Sequence, residues 1–106
     1  MFEYVVGLDV IDDELYDVYR KNMMPILKKY KGGFHYDFRI KEVLKKEVEE
    51  GINRVFTIYF PTKKIADDFF ENEEYLKVKE KYFKKSVKST TIIAEVTQEE
   101  NPNKFN

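Results

Sequence analysis

Hydrophobic and polar positions alternate strictly over residues 2–10, with Phe2, Tyr4, Val6, Leu8 and Val10 in phase, which predicts a first strand. The period then changes. Leu15, Val18, Tyr19, Met23, Ile26, Leu27 and Tyr30 recur every three or four residues, so the spacing predicts a helix. Asp12 stands as its N-cap, with Asp13 and Glu14 in the first turn and Ile11 and Tyr16 placed as a hydrophobic staple. Pro25 removes one backbone N–H inside this pattern and is expected to kink or split the helix, and Gly32 and Gly33 end it. Alternation resumes from Phe34 to Leu44. Phe34, Tyr36, Phe38 and Ile40 fall on one side, and His35, Asp37, Arg39 and Lys41 on the other. A charged connector closed by Gly51 leads to a third strand, "NRVFTIYF", stopped by Pro61. Thr62 caps a second helix with Ile65, Ala66, Phe69 and Phe70 on its apolar side. "ENEEY" interrupts or bends that helix, "YLKVKEKYF" resumes it, and "STTIIAEV" is the fourth strand.

The order β-α-β-β-α-β, with short connections and right-handed crossovers, predicts a ferredoxin-like split βαβ sandwich: a four-stranded antiparallel sheet with two helices on one face. The domain is expected over residues 1–97, with a polar C-terminal tail at 98–106. Such a sheet should be apolar on its helix side and polar on the other. Here the third strand carries Phe56, Ile58 and Phe60 on one side and Val55 and Tyr59 on the other. The fourth sets Ile93 against Ile92, Ala94 and Val96, and the first adds Val5 and Ile11 to its minor face. The helix-free face therefore needs a cover: a second sheet in a homodimer, a ligand, or stacked bases.

Composition narrows these choices. The chain of 106 residues is one domain's worth. Nineteen basic against twenty acidic residues give a net charge of -1, so no global field attracts a polyanion. The third strand has aromatics and one basic residue but lacks the glycines of an RNA-recognition strand, so nucleic acid is not an expected partner. The lysines at 77, 79, 81, 84, 85 and 88 follow the acidic start of the second helix and complement its dipole. With no cysteine and one histidine, neither a disulfide nor a thiolate metal site can form, and a metal is not expected. Haem is not expected either, the only histidine being on a strand, so no cofactor is assigned. No apolar run reaches the roughly 20 residues of a membrane span, and the N-terminus lacks a signal-peptide pattern. A cytoplasmic location is expected. Aromatic residues, all Tyr or Phe, make up 16% of the chain and require a core, interface or pocket to bury them.

Candidate chemistry centres on the polar row of the second strand. His35 and Asp37, two residues apart, would project together, and a carboxylate beside an imidazole suits general acid–base work. Arg39 would then hold an anionic group. The other reading makes this row an edge-strand face or part of a dimer seam. Arg54 opens the third strand and would either reach a pocket or pair with Glu50 at the surface. Tyr4, Tyr59 and Tyr75 would supply hydroxyls to a largely apolar pocket, or pack in the core with one satisfied hydroxyl each.

One ordered set of residues carries a resemblance. Pro25-x-Leu27-x-x-Tyr30, Gly32-Gly33, Glu50-Gly51-x-x-Arg54, Phe60-Pro61-Thr62, Ala66 and Glu74-Tyr75, spread over residues 4–96, resemble the family called domain of unknown function 1330. The resemblance implies the dimeric α/β-barrel superfamily, in which two split βαβ protomers pack sheet against sheet. Related families there include cofactor-independent monooxygenases, isomerases, stress-response proteins and haem-degrading enzymes, and fold does not choose among them. This chain departs from the family pattern at Lys31, inserted before the glycine pair, at Tyr82, where the family often carries arginine, in ending the fourth strand "AEV", and in having no tryptophan. The reading that follows is a homodimer binding a small aromatic or carbonyl-bearing metabolite in a sheet–helix cleft, with cofactor-free proton transfer conceivable. The alternatives are a dimerising or ligand-sensing module without chemistry and, remotely, an RNA-binding domain.

Overall fold

The computed structural model describes residues 1–97, and the tail expected at 98–106 lies outside the described residues. The elements run β1 (Phe2–Val10), α1 (Asp13–Lys29), β2 (Gly33–Arg39), β3 (Arg54–Phe60), α2 (Lys63–Glu71), α3 (Glu73–Val78), a π-helical turn (Lys79–Phe83), α4 (Lys84–Ser86) and β4 (Val87–Thr97). The four strands form one antiparallel sheet in the order β2-β3-β1-β4. That is the ferredoxin-like layout. Phe2, Val6, Leu8 and Val10 of β1 and Phe56, Ile58 and Phe60 of β3 turn toward the helices and are buried. Tyr16, Leu27, Ala66 and Phe69 close over them from above with no exposure at all.

Local chemistry fixes the helix ends. The Leu15 N–H donates to Asp12 Oδ1 at 3.0 Å, and the Ile65 N–H to Thr62 Oγ1 at 3.2 Å. Asn72 has extended backbone, ends α2 and caps α3 by accepting from the Tyr75 N–H at 3.0 Å, which is the expected interruption. Contrary to expectation, α1 is not split at Pro25. Pro25 is exposed, so the Lys21 carbonyl that its missing N–H leaves open lies toward water and needs no protein donor. The helix closes on a Schellman pattern, with Lys31 N–H donating to the Lys28 carbonyl and Gly32 N–H to the Leu27 carbonyl. Lys31 itself has φ 59°, the left-handed conformation that glycine usually fills.

Bulges in β2 and β4 change which side chains share a face. In β2, Phe34 pairs with Ile58 and Tyr36 with Thr57, leaving His35 as the extra residue. Phe34 therefore looks toward the helices while Tyr36 and Phe38 look away, and Asp37 joins Phe34. In β4, Ile92 pairs with Val6 and Ala94 with Val5, so Ile93 is unpaired, and Ile92 and Ala94 take opposite faces. The alternation read from residues 34–41 and 92–96 is corrected accordingly, since one inserted residue inverts everything after it. β2 also stops at Arg39, short of Leu44, because its partner β3 begins at Arg54 and leaves nothing to pair with. Ile11 lies outside β1 with 63% of its surface exposed, so it neither covers the minor face nor buries itself as a staple.

The segment from 40 to 53 is moored at its ends. Ile40 N–H donates to the Asn53 carbonyl at 2.8 Å, and Asn53 N–H to the Leu8 carbonyl at 2.9 Å. The Asn53 side chain adds two bonds to the Val10 backbone, accepting from its N–H at 2.8 Å and donating to its carbonyl at 2.9 Å. Ile52 lies over Gly7, where a Cβ would come within 3.1 Å of it.

Candidate functional site

A cavity of about 380 Å³ lies between the sheet and the helices. Val6, Leu8, Phe56 and Ile58 form its sheet wall, and Tyr16, Tyr19, Arg20 and Met23 of α1 form the opposite one. Tyr75, Lys79 and Phe83 close a side, and Thr90, Ile92 and Glu95 stand along β4. Steps of four residues drift around a regular helix of 3.6 residues per turn. The wider π turn at Lys79–Phe83 offsets that drift, so Tyr75, Lys79 and Phe83 all reach the same cavity.

The polar groups of this cavity are mostly phenols. The Tyr19 and Tyr75 hydroxyls are hydrogen-bonded to each other at 2.8 Å in a buried setting. Burial pushes the Tyr19 phenol well above its ordinary value, and the Tyr75 bond reinforces the shift. Burial also raises Tyr75, partly offset by its bond with Tyr19. Tyr16 Oη accepts from Arg20 Nε at 2.8 Å, and burial outweighs that contact to raise Tyr16 as well. All three remain protonated near neutral pH.

Arg20 is held from every side. Its guanidinium carbon lies 4.0 Å from the Phe34 ring centroid, 4.9 Å from that of Phe56 and 5.2 Å from that of Tyr16. Its Nη1 donates to Asp37 Oδ2 at 3.2 Å, while Nη2 is buried without a partner. Arg54 donates to the same carboxylate from Nε at 2.8 Å and from Nη2 at 2.9 Å. Burial acts to raise the Asp37 carboxyl, but the bonds and charges of Arg54 and Arg20 prevail and hold it below its ordinary range.

The expected pairing of His35 with Asp37 is therefore corrected. The bulge at His35 sends the two to opposite faces of the sheet. His35 Nδ1 meets Glu3 Oε2 at 2.7 Å on the helix-free face, and its ring stacks on Tyr59 with centroids 4.2 Å apart. Arg54 pairs with Asp37, not with Glu50. Arg39 faces Arg54 in register on the sheet's edge strand and is exposed. Of the tyrosines expected at a pocket, Tyr4 and Tyr75 line the cavity, whereas Tyr59 lies on the other face with its hydroxyl over Gly33. Sequence reasoning missed Tyr16, Tyr19 and Arg20 as site residues. The signal was Tyr16 and Arg20 at i and i+4, a spacing that lets a phenol and a guanidinium meet on one helix face.

The helix-free face has a different character. Register places Glu3, Val5, Val55, Thr57, Tyr59, Tyr36, Phe38, Ala94 and Val96 on it. Tyr36 and Phe38 stack on each other with centroids 5.8 Å apart, yet are 56% and 51% exposed. Among the described residues, no helix is long and apolar enough to cross a membrane.

A four-stranded antiparallel sheet backed by helices, with a cavity between the layers and an apolar open face, defines a ferredoxin-like domain. The sequence matches the family described as Domain of unknown function (DUF1330) over residues 4–96, and the chain belongs to that family. Solved structures agree on the fold. A protein of unknown function from Rhodopseudomonas palustris superposes with a TM-score of 0.78 at 12% identity, covering 94% of this chain and 83% of that one. An uncharacterised NIPSNAP domain protein from Burkholderia xenovorans gives 0.66 at 8% identity, covering 92% and 94%. A dabb family protein with a ferredoxin-like fold from Mesorhizobium loti gives 0.62 at 7% identity, covering 92% and 95%. Comparison with curated protein sequences gives no match.

Proposed function

We propose that the protein is a homodimer joined sheet to sheet, each protomer holding a small aromatic or carbonyl-bearing metabolite in its sheet–helix cavity. The observation that carries the ligand reading is the cavity itself. Its volume of about 380 Å³ is within the range of small-molecule sites, and its apolar walls converge on a few placed hydroxyls. A sheet–helix interface filled to ordinary packing density has no room of this size. Support for the dimer comes from the helix-free face, where half-exposed Tyr36 and Phe38 continue an apolar surface through Val55 and Val5.

Residue placement favours binding without chemistry over proton transfer. Asp37 is engaged by two guanidiniums and held ionised, and His35 is paired with Glu3 on the far side of the sheet. Neither offers a base to a cavity ligand. Native mass spectrometry of the purified protein tests both halves together. A dimer carrying a discrete added mass, or taking one up from a panel of aromatic ketones and acids, is the expected result. A monomer at micromolar concentration refutes the dimer, and a dimer that takes up none of the panel refutes the ligand reading.

A further inference from the structure

The cavity holds hydrogen-bond donors that its own contacts do not use. Two hydroxyl protons are available from Tyr19 and Tyr75, and their mutual bond uses only one. The Tyr16 oxygen is occupied by the Arg20 Nε–H, which leaves the Tyr16 proton without an acceptor among the contacts described. The Nη2 group of Arg20 has no partner. Asp37, beside Arg20, already takes three bonds from two arginines. The carboxylate that lines the cavity is Glu95, exposed on β4. The inner end therefore has donors to spare: the Tyr16 hydroxyl, one hydroxyl of the Tyr19–Tyr75 pair and Arg20 Nη2.

Charge points the same way. Arg20 and Arg54 carry two positive charges against the single negative charge of Asp37, and both arginine side chains are nearly buried, at 14% and 12% exposure. Lys79 adds another cation to the lining and Glu95 an anion, which leaves the net positive charge at Arg20 and Arg54. The phenols are also arranged in relay. Arg20 donates to the oxygen of Tyr16, and one of the Tyr19–Tyr75 pair donates to the oxygen of the other. A hydroxyl that accepts a bond from behind becomes a stronger donor in front. The three phenols are neighbours, with the Tyr16 and Tyr19 ring centroids 5.6 Å apart and those of Tyr19 and Tyr75 6.3 Å apart.

We infer that the cavity selects an anion: a small aromatic or apolar acid whose single carboxylate is held by the Tyr16 and Tyr19–Tyr75 hydroxyls under the field of Arg20, with its apolar body against Val6, Phe56 and Ile58. This rests on the reading of the cavity as a ligand site and narrows its ligand class. A carboxylate brings two charged oxygens to these spare donors and to the positive field of Arg20, whereas a neutral primary amide of the same shape brings one uncharged oxygen. Arg20 acts through Tyr16 and by its charge, and is a positioning residue.

The test compares 2-naphthoate with 2-naphthamide by calorimetric titration at pH 7. The acid is expected to bind about tenfold or more tightly. Arg20→Gln and Tyr16→Phe, checked for folding by circular dichroism, should each shrink that preference to within about threefold while retaining the amide. Tyr16→Phe keeps the ring in the core and serves if Arg20→Gln does not fold. Equal binding, or tighter binding of the amide, overturns the anion assignment and leaves the cavity reading standing. An acid preference unchanged in both variants overturns the assignment to these residues. If neither probe binds, the cavity reading falls and this inference with it.

Discussion

Replacing Asp37 by Asn should destabilise the fold by about 2 kcal/mol at pH 7, a value set between the roughly 3–5 kcal/mol of breaking a buried pair and the under 1 kcal/mol of an exposed one. The intermediate figure follows from the geometry. The two arginine side chains are 12% and 14% exposed, but that of Asp37 is 31% exposed, so water partly compensates the loss. The amide oxygen of Asn still accepts from Arg54, yet its NH₂ turns toward the other guanidinium and two cations remain with no counter-charge. For a domain near this size, about 2 kcal/mol corresponds to a fall in Tm of roughly 8–16 °C. The acid dependence has a definite sign. The folded Asp37 carboxyl titrates below the ordinary value of 3.8, so its stabilising contribution is complete above that value. It is lost as the pH falls through the lowered folded value, so the gap between wild type and variant should stay constant from neutrality to about pH 5 and close below about pH 4. Urea denaturation followed by circular dichroism, at one fixed protein concentration to remove the effect of self-association, measures the gap at each pH. A gap under about 0.5 kcal/mol at pH 7, or one that widens on acidification, would refute this account of Asp37 as the keystone between α1, β2 and β3.

Three further outcomes are expected. Tyr75→Phe leaves the buried Tyr19 hydroxyl unpaired and should cost about 1 kcal/mol by urea denaturation, whereas the double change with Tyr19→Phe should cost less than two such penalties. Lys31→Gly relieves a left-handed residue at the end of α1 and should stabilise by about 0.5–1 kcal/mol, read as a rise in Tm; no rise would show that the Lys31 conformation carries no strain. Phe38→Asp places a charge on the half-exposed apolar face and should shift the protein from dimer to monomer in light scattering without loss of helical circular dichroism; a dimer that persists would mean the face is not the seam.

Sequence periodicity was sufficient for the element order, because the alternation of β1 and β3 and the three-and-four spacing of α1 are uninterrupted over whole elements. It failed where one residue departs from the period. Nothing in "FHYDFR" announces that His35 is the extra residue, since the choice depends on how β2 meets β3 and on Glu3 and Tyr59 waiting on the far face. That single slip parted His35 from Asp37 and turned Asp37 toward an arginine on α1. The cavity was legible only as an excess of aromatic residues. Its hydroxyl pair joins residues 56 positions apart, a separation that local spacing does not report.

The mooring of the segment between β2 and β3 has a consequence for engineering. Asn53 and the fit of Ile52 over Gly7 pin its far end to β1, and Ile40 ties its near end to Asn53, while the intervening Val43 and Leu44 stand in solvent, Leu44 at 88% exposure. The length of the segment is thereby uncoupled from the register of the hairpin. Doubling the stretch with glycine and serine should cost only about 0.6 kcal/mol in closure entropy, a change small enough to read by urea denaturation. This turn is the place where a reporter or a second domain can be spliced into the chain while the cavity and the sheet continue to fold as one body.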